Sequence, residues 1–135
     1  MDMSNAVREY LTAPRFAVLA TINPNGSVQQ TVMWYLLDGD TLVMNTTDRR
    51  HKTANLRRDP RVSLCVSDGY RFVTLKGRAT LSDDQTVSQA DILKLAVHYD
   101  GEEQGRRQAA EVFSKQRRVS IRVPIEQVLD YGVGE

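Results

Sequence analysis

Residues 45–61 read Asn-Thr-Thr-Asp-Arg-Arg-His-Lys-Thr-Ala-Asn-Leu-Arg-Arg-Asp-Pro-Arg, and an apolar, strand-like run lies on each side of them, at 41–44 and 62–66. Asp48 is a suitable N-cap for a short helix inside this stretch, and Thr46 and Thr47 are alternative caps. Pro60 ends that helix, because proline disfavours helical backbone in the residue before it. The pattern therefore predicts a strand that runs directly into a short helix, with another strand after it.

This short helix carries much of the positive charge of the chain. Residues 48–61 hold six basic and two acidic side chains, a net charge of +4, whereas the whole chain has +1. The basic side chains are Arg49, Arg50, Lys52, Arg57, Arg58 and Arg61. A helix start offers free N–H groups and a partial positive charge, so it suits a phosphate when Arg and Lys lie beside it. A solvated surface helix would have the same composition.

The bulk composition is that of an ordinary globular protein, with 135 residues, 41% hydrophobic and 26% charged. This length predicts a single domain over residues 1–135. One cysteine, Cys65, excludes an internal disulfide and fits a reducing compartment. The chain has no apolar run of transmembrane length and no signal-peptide pattern at its start, so we expect a cytoplasmic protein that does not associate with membranes.

Alternating apolar residues and turn signals predict six or seven antiparallel strands. They cover about 16–22, 28–37, 41–45, 61–67, 70–81 and 118–123, and a final short strand at 125–131 follows an interruption at Pro124. Asn25-Gly26 is a strong hairpin signal, because both residues tolerate positive φ. Gly77 inside a strand indicates a bulge or a bend. In the strand at 118–123, the alternation places Ser120 and Arg122 on the outward face.

Three further helices are predicted around these strands. One is capped by Ser4 or Asn5 and runs to about residue 11, another starts at Ser82-Asp83-Asp84 and runs to about 99, and the last covers 106–115 after a polar loop at 100–105. The fold class is mainly β with short helices (α+β), because strands follow strands. We expect a closed or nearly closed antiparallel β-barrel with the helices filling its gaps.

Conventional catalytic motifs are missing from the sequence. The only two histidines, His51 and His98, are far apart, and a single cysteine cannot form an ordinary zinc site, so no metal site is predicted. Asp83 and Asp84 lie at a helix start and are interpreted as caps. Trp34 and Tyr35 are interpreted as core or interface residues. A chain with so few catalytic groups can still be an enzyme if a bound cofactor supplies the reactivity. No catalytic residue is assigned.

Four stretches resemble a known family. They are Phe-Ala-Val-Leu-Ala-Thr-Ile-Asn-Pro-Asn-Gly-Ser-Val (16–28), the basic segment 48–63 with its Arg-x-Lys-x-x-Asn-Leu pattern, Leu-Lys-Gly-Arg-Ala-Thr-Leu (75–81) and Arg-Arg-Val-Ser-Ile-Arg-Val (117–123). In this order they resemble the pyridoxamine-phosphate-oxidase-like superfamily, and more closely its deazaflavin (F420)-dependent oxidoreductases. The resemblance implies an antiparallel, FMN-binding-like split β-barrel that forms a homodimer with two cofactor sites at the interface.

The resemblance also implies which residues hold the cofactor. Arg50 and Lys52 would bind its phosphate or tail, and Asn55 belongs to the same pattern. The remaining implied contacts are Thr46, Thr47 and the His51 backbone beside the phosphate, Asn45, Gln30, Thr31 and Val32 along the ring, and Tyr70 from the other subunit. Arg49 and His51 depart from the family pattern. The Lys52 side chain is expected to be exposed in the cofactor-free protein.

Together with the basic residues Arg50 and Lys52, the resemblance implies an oxidoreductase that transfers hydride between reduced F420 and a small organic substrate. Further positive charges at Arg49, Arg57 and Arg58 would suit the oligoglutamate tail of F420. One alternative is an FMN-dependent oxidoreductase of the same superfamily. Another is a non-catalytic protein that binds a flavin, haem or tetrapyrrole, with His51 as a haem ligand. Nucleic-acid binding is disfavoured, because net charge is near neutral and aromatic residues do not alternate with the basic ones.

Overall fold

The strand Arg118–Tyr131 is the longest strand and connects the two parts of the sheet. The computed structural model describes residues 3–134, so residues 1, 2 and 135 of the expected domain lie outside it. The strands are β1 (Ala17–Ile22), β2 (Val28–Met33), β3 (Leu36–Asp38), β4 (Thr41–Thr47), β5 (Arg61–Asp68), β6 (Arg71–Arg78), β7 (Thr80–Ser82) and β8 (Arg118–Tyr131). The helices are α1 (Asn5–Thr12), α2 (His51–Arg58), α3 (Gln85–Asp100) and α4 (Glu102–Glu111), with a 3-10 turn at Phe113–Lys115.

The strands form one antiparallel sheet in the order β2-β1-β5-β6-β8-β4-β3, with β7 also paired to β8. The sheet curls into a half-barrel, which confirms the predicted antiparallel split-barrel class. Its core lies on the inner face, where alternating residues such as Leu19, Leu64, Leu75 and Ile121 are at most 1% exposed. Burial of such side chains is the main stabilising term of the fold, at about 1.5–3 kcal/mol each.

Pro124 does not interrupt the last strand, contrary to the sequence prediction. Before Pro124 the strand pairs with β4, and from Ile125 onward it pairs with β6. Proline fits at this point because the strand changes partners there, and Ile125 N–H bonds to the Asp40 carbonyl at 2.9 Å. The bulge predicted at Gly77 is confirmed, since the β6–β8 register shifts there. A Cβ atom at Gly77 would lie 2.4 Å from the Pro124 carbonyl oxygen.

The strand predicted at 28–37 is broken at Trp34 and Tyr35. Strand β2 pairs with β1, whereas β3 turns away to pair with β4. The Tyr99 hydroxyl of α3 accepts a bond from Tyr35 N–H (2.9 Å) and lies 3.0 Å from the Tyr35 carbonyl. A side chain 64 residues away thus replaces the strand partners of this backbone. The strand predicted at 70–81 is also broken, between β6 and β7.

The polar loop predicted at 100–105 is instead the start of α4. Gly101, with φ +91°, both ends α3 and precedes α4, and its N–H bonds to the Val97 carbonyl at 2.9 Å. Gly105 then packs directly on α3, because a Cβ there would lie 2.6 Å from Val97 N. The sequence prediction missed this helix because two glycines and three polar residues in a row are typical of a loop.

The predicted helix caps are partly confirmed. Ser4 caps α1 by accepting from Val7 N–H at 3.1 Å, and Asp84 caps α3 by accepting from Thr86 N–H at 2.9 Å. Asp83 is not a cap, since its carboxylate lies 3.6 Å from the Arg117 guanidinium. Within residues 3–134 no helix is long and apolar enough to cross a membrane.

Candidate functional site

The basic segment lies where β4 ends and α2 begins, as the sequence predicts. Arg50 is the residue before the helix, and its carbonyl accepts bonds from Thr53 N–H (3.1 Å) and Ala54 N–H (3.3 Å). The predicted N-cap, Asp48, does not cap the helix, because its carboxylate pairs with Arg57 at 3.0 Å. Among residues 3–134 no side chain caps α2, so its first N–H groups stay available to a ligand.

A pocket of about 260 Å³ opens beside this helix start. It is lined by six of the residues that the resemblance implies and by six others that sequence reasoning did not assign to the site. The first set is Val32, Asn45, Thr46, Thr47, Arg50 and Lys52; the second is Met33, Trp34, Ile92, Leu95, Phe113 and Arg118. One side of this inner pocket is cationic and the other is apolar and aromatic.

A second pocket of about 220 Å³ adjoins the first and shares Arg50 and Lys52 with it. This outer pocket adds Gln29, Thr31, Arg49 and His51 to the lining. The Thr31 Oγ1 atom is buried and has no hydrogen-bond partner within the described part of the chain. Buried hydroxyls are normally bonded, so this atom marks a place where a polar ligand group would fit.

Lys52 is buried, with only 4% of its surface exposed, which corrects the expectation of an exposed side chain. Burial, and then the neighbouring charges of Arg50 and Arg118, lower the pKa of Lys52 to about 8. Its ammonium group forms no ion pair with a carboxylate among residues 3–134. A buried and unpaired charge destabilises a protein unless a bound anion compensates it.

Arg118 is a second buried cation at this site, and sequence reasoning missed it. It is 8% exposed, its Nε donates to the Asn45 side-chain oxygen at 2.8 Å, and its Nη1 donates to the Gln116 side-chain oxygen at 2.5 Å. Its guanidinium carbon lies 5.0 Å from the centre of the Phe113 ring. Burial, and then the charge of Arg50, lower the pKa of Arg118 to about 10.

Ser120 explains why the alternation pattern failed to identify this arginine. The pattern places Ser120 outward, but the structure buries it completely, because α3 packs against that face of β8. Arg118 lies two residues earlier on the same face and is buried as well. The only sequence signal was a charged residue at the start of a strand whose next residues alternate between apolar and polar.

The pocket wall is cationic without an opposing acid. Arg50, Lys52 and Arg118 line the inner pocket, and no carboxylate of the described residues lines either pocket. The two arginines within α2 point elsewhere. Arg57 pairs with Asp48, and Arg58 bonds to the Ile22 carbonyl. Only Arg49, at the outer pocket, adds to the positive charge around the site.

Three residues that the resemblance implies do not line either pocket in this chain. Asn55 is 3% exposed, and its amide donates to Thr21 Oγ1 (3.1 Å) and Asn23 Oδ1 (2.9 Å), which fastens α2 to the end of β1. Gln30 is exposed on the outer face of β2. Tyr70, in the β5–β6 turn, is 93% exposed.

The apolar side of the inner pocket includes an aromatic ring that belongs to a stack of three. Trp34 stacks on Tyr99, with ring centres 5.0 Å apart and planes 11° apart, and Tyr99 also stacks on Phe16 at 5.9 Å. Ile92 and Leu95 of α3 complete this wall. A planar ring system fits against such a surface. In the part of the chain that the structure describes, no group of three or more His, Cys, Asp or Glu side chains is placed to hold a metal.

Several solved structures share the fold of this chain. A conserved hypothetical protein of Mycobacterium tuberculosis, Rv2991, is 27% identical, with a TM-score of 0.81 over 97% of this chain and 86% of its own. A structure described as an F420 reductase is also 27% identical, with a TM-score of 0.76 over 94% of this chain and 98% of its own. General Stress Protein 26 of Bacillus anthracis, 13% identical with a TM-score of 0.70 over 93% and 90%, shares the fold.

The family model described as pyridoxamine 5′-phosphate oxidase matches residues 3–131. That match and these neighbours confirm the superfamily that the four sequence stretches indicated. The family includes oxidoreductases. Because the match spans nearly the whole chain, this protein belongs to the pyridoxamine 5′-phosphate oxidase family.

Proposed function

We propose that this protein is an F420-dependent oxidoreductase that transfers hydride between reduced deazaflavin and a small organic substrate. The observation that carries the proposal is the pair of buried cations, Lys52 and Arg118, beside Arg50 in a pocket without a carboxylate. Such a site favours an anionic ligand strongly, because the anion removes the cost of the buried charge. The 27% identity to an F420 reductase over most of both chains supports this choice of cofactor.

The residues present fit a cofactor with an anionic end and a planar ring. Arg50, Lys52 and Arg118 would hold the anion, together with the free N–H groups at the start of α2. The unpartnered Thr31 hydroxyl would bond to a polar edge of the ligand. When bound, the cofactor supplies the hydride chemistry, and the chain binds and orients it against the Trp34 wall.

A homodimer is part of the proposal, and the outer face of the sheet supports it. Val32, Val18, Cys65, Thr74 and Leu129 lie side by side in register across five strands. None of them is charged, and Val32 and Leu129 are each 67% exposed. A second copy packed on this row would bury that apolar surface.

The pocket would then lie at the edge of the dimer interface. Val32 belongs both to the outer row and to the pocket lining, so the interface and the cofactor site are contiguous. Gln30 lies on the same exposed face of β2. Tyr70, exposed at a loop tip, is available to contact the cofactor of the partner, as the resemblance implies.

FMN is the second candidate, and one observation favours it. The sequence argument for the longer, more anionic F420 tail used Arg49, Arg57 and Arg58, but Arg57 and Arg58 bond within the chain. Only Arg49 remains for the tail, whereas a single phosphate would be satisfied by the inner pocket alone.

Parallel titrations test the proposal. Purified protein is titrated with F420 and with FMN while the fluorescence of each cofactor is followed. We expect binding of F420 at micromolar concentrations and weaker binding of FMN. Absence of F420 binding in this range would contradict the proposal, and a protein that is yellow as purified would favour FMN. A Soret band on haem titration that is lost in His51→Ala would instead support the non-catalytic alternative.

A further inference from the structure

A buried carboxylate lies behind the pocket and does not line it. Asp91 of α3 is 4% exposed, and its Oδ2 accepts a bond from Ser120 Oγ at 2.6 Å. On its other side it pairs with Arg122, with Nη1–Oδ2 at 2.9 Å and Nη2–Oδ1 at 3.2 Å. The Arg122 pair by itself would simply fasten α3 to β8. The bond to Ser120, in contrast, connects Asp91 to residues that reach the pocket.

The donor and acceptor groups of these side chains fix the direction of each hydrogen bond in the series from Asp91 to Arg118. The carboxylate of Asp91 can only accept, so Ser120 Oγ gives its single hydrogen to Asp91. Ser120 Oγ is then an acceptor towards Asn45, whose Nδ2 lies 3.4 Å away and also donates to the Ser88 carbonyl at 2.9 Å. With its amide nitrogen turned this way, Asn45 presents its oxygen to Arg118 Nε at 2.8 Å.

We infer that Asp91 and Ser120 are positioning residues of the anion site, because they fix the amide of Asn45 so that its oxygen holds Arg118 in the pocket. The inference rests on the proposed function of the inner pocket as the site of the cofactor anion. Neither residue lines the pocket. Both act through Asn45, which does.

The arrangement solves an electrostatic problem at the site. Arg118 is buried close enough to Arg50 for that charge to lower its pKa, so repulsion opposes its place in the wall. A carboxylate next to Arg118 would hold it but would also cancel the charge that an anion needs. A neutral amide oxygen holds the guanidinium and leaves its charge intact. Asp91 stays two hydrogen bonds further away and orients that amide through Ser120.

Two single substitutions, one at each hydrogen-bond partner of Asp91, distinguish a role in positioning Asn45 from a role in stabilising the fold alone. Ser120→Ala removes the link towards Asn45 and keeps the Asp91–Arg122 ion pair, whereas Arg122→Gln removes the ion pair and keeps the link. The probe is inorganic phosphate, with affinity measured by calorimetry on the full chain. We expect Ser120→Ala to weaken phosphate binding by about three- to tenfold, the effect of one lost hydrogen bond. Arg122→Gln should change it by less than about twofold.

A second measurement follows Arg118 directly. The hydrogen-exchange rate of the Arg118 Nε–H is measured by nitrogen-15 NMR, with the signal assigned by its absence in Arg118→Lys. We expect faster exchange in Ser120→Ala than in wild type, and an unchanged rate in Arg122→Gln, since only the first variant loosens the Asn45 oxygen. A role limited to stability would not move this signal. Asp91→Asn replaces Ser120→Ala if the latter does not fold, with the same expected direction.

Three results with the variants would overturn the inference. They are unchanged phosphate affinity in Ser120→Ala, equal losses in Ser120→Ala and Arg122→Gln, and weaker phosphate binding with an unchanged Arg118 exchange rate. Failure of the wild-type protein to bind phosphate would overturn it as well. Phosphate binding without F420 binding would contradict only the proposed function and would leave the positioning role intact.

Discussion

At the scale of single residues, Lys52 carries two opposed roles. Its ammonium group is buried beside Arg50 and Arg118 without a carboxylate, so it destabilises the empty protein and favours an anion in the pocket. A side chain kept at a cost in stability is typical of a binding site. The same reasoning applies to Arg118, where bonds to neutral groups leave the charge uncancelled.

The first prediction concerns Lys52→Met, which keeps the apolar stem and removes the charge. We expect cofactor affinity to fall by about 1–3 kcal/mol, the effect of one lost charge-assisted contact. The free energy of unfolding should rise by about 0.5–2 kcal/mol, because a buried repulsive charge is removed. Fluorescence titration and urea denaturation measure the two effects. Lys94→Met, at an exposed site on α3 that lines neither pocket, is the control and should show neither effect. A variant that binds as tightly as wild type would place the anion site elsewhere.

The second prediction is a pH dependence. Anion binding favours charged Lys52, whose pKa in the empty protein is about 8. Affinity for sulfate, which keeps its charge in this range, should therefore fall by about three- to tenfold as the pH rises from about 7.5 to about 9.5. Over the same window the unfolded chain binds more protons at this lysine than the folded chain, so this group makes the empty protein more stable as the pH rises. Calorimetry at each pH measures the affinity. A profile in Lys52→Met as steep as in wild type would assign the titration to another group.

At the scale of elements, the site depends on how β8 meets its neighbours. The strand pairs with β4 at its start and with β6 at its end, and it changes partner at Pro124, opposite Gly77. Helix α3 covers the first half of β8 and contributes Ile92 and Leu95 to the pocket wall. The pocket therefore lies where β2, β4, α2, α3 and β8, which come from distant parts of the sequence, meet.

The third prediction tests this crossing point. In Gly77→Ala the new Cβ would meet the Pro124 carbonyl oxygen at 2.4 Å and a Val123 methyl carbon at 2.9 Å. The Pro124 carbonyl is a backbone group and cannot shift without distorting the strand, so we expect the free energy of unfolding to fall by about 1–3 kcal/mol. Urea denaturation measures the change. Lys76→Ala, at the exposed neighbouring position, should have little effect. Equal stability in both variants would mean that the bulge adapts.

At the scale of the whole molecule, the half-barrel leaves an uncharged row of residues on its outer face that one chain does not cover. The row from Val32 to Leu129 crosses five strands, and the pocket opens at its β2 end. An exposed apolar row that adjoins a binding pocket is the geometry expected of a site shared between two subunits. Assembly and cofactor binding should then be linked.

The fourth prediction tests this linkage through Leu129→Glu, which places a charge at the β8 end of the uncharged row in the proposed interface. We expect wild type to have twice the 15.3 kDa chain mass in solution and the variant to be a monomer with weaker cofactor binding. Light scattering after gel filtration and fluorescence titration measure the two. Val112→Glu, at another exposed apolar site, should remain a dimer. A wild-type protein of single-chain mass would contradict the homodimer.

The sequence by itself determined the strand-rich class, most strands, the bulge at Gly77 and the basic helix that ends before Pro60. These features follow from local patterns, in which alternation, turn residues and backbone restrictions act over a few neighbouring positions. It also identified the family and placed Arg50 and Lys52 beside the β4–α2 junction.

Only the tertiary structure decided that Lys52 is buried, that Arg118 joins it and that Asp91 lies behind them. Asn45 and Arg118 are 73 residues apart, and Ser120 and Asp91 are 29 apart. Whether one face of a strand contacts solvent or a helix depends on what packs against it. The alternation pattern predicts that the Ser120 face of β8 is exposed, but α3 packs on it and buries it beside the pocket. The break at Trp34 and Tyr35 has the same cause, because the Tyr99 hydroxyl replaces the strand partner that local sequence would predict.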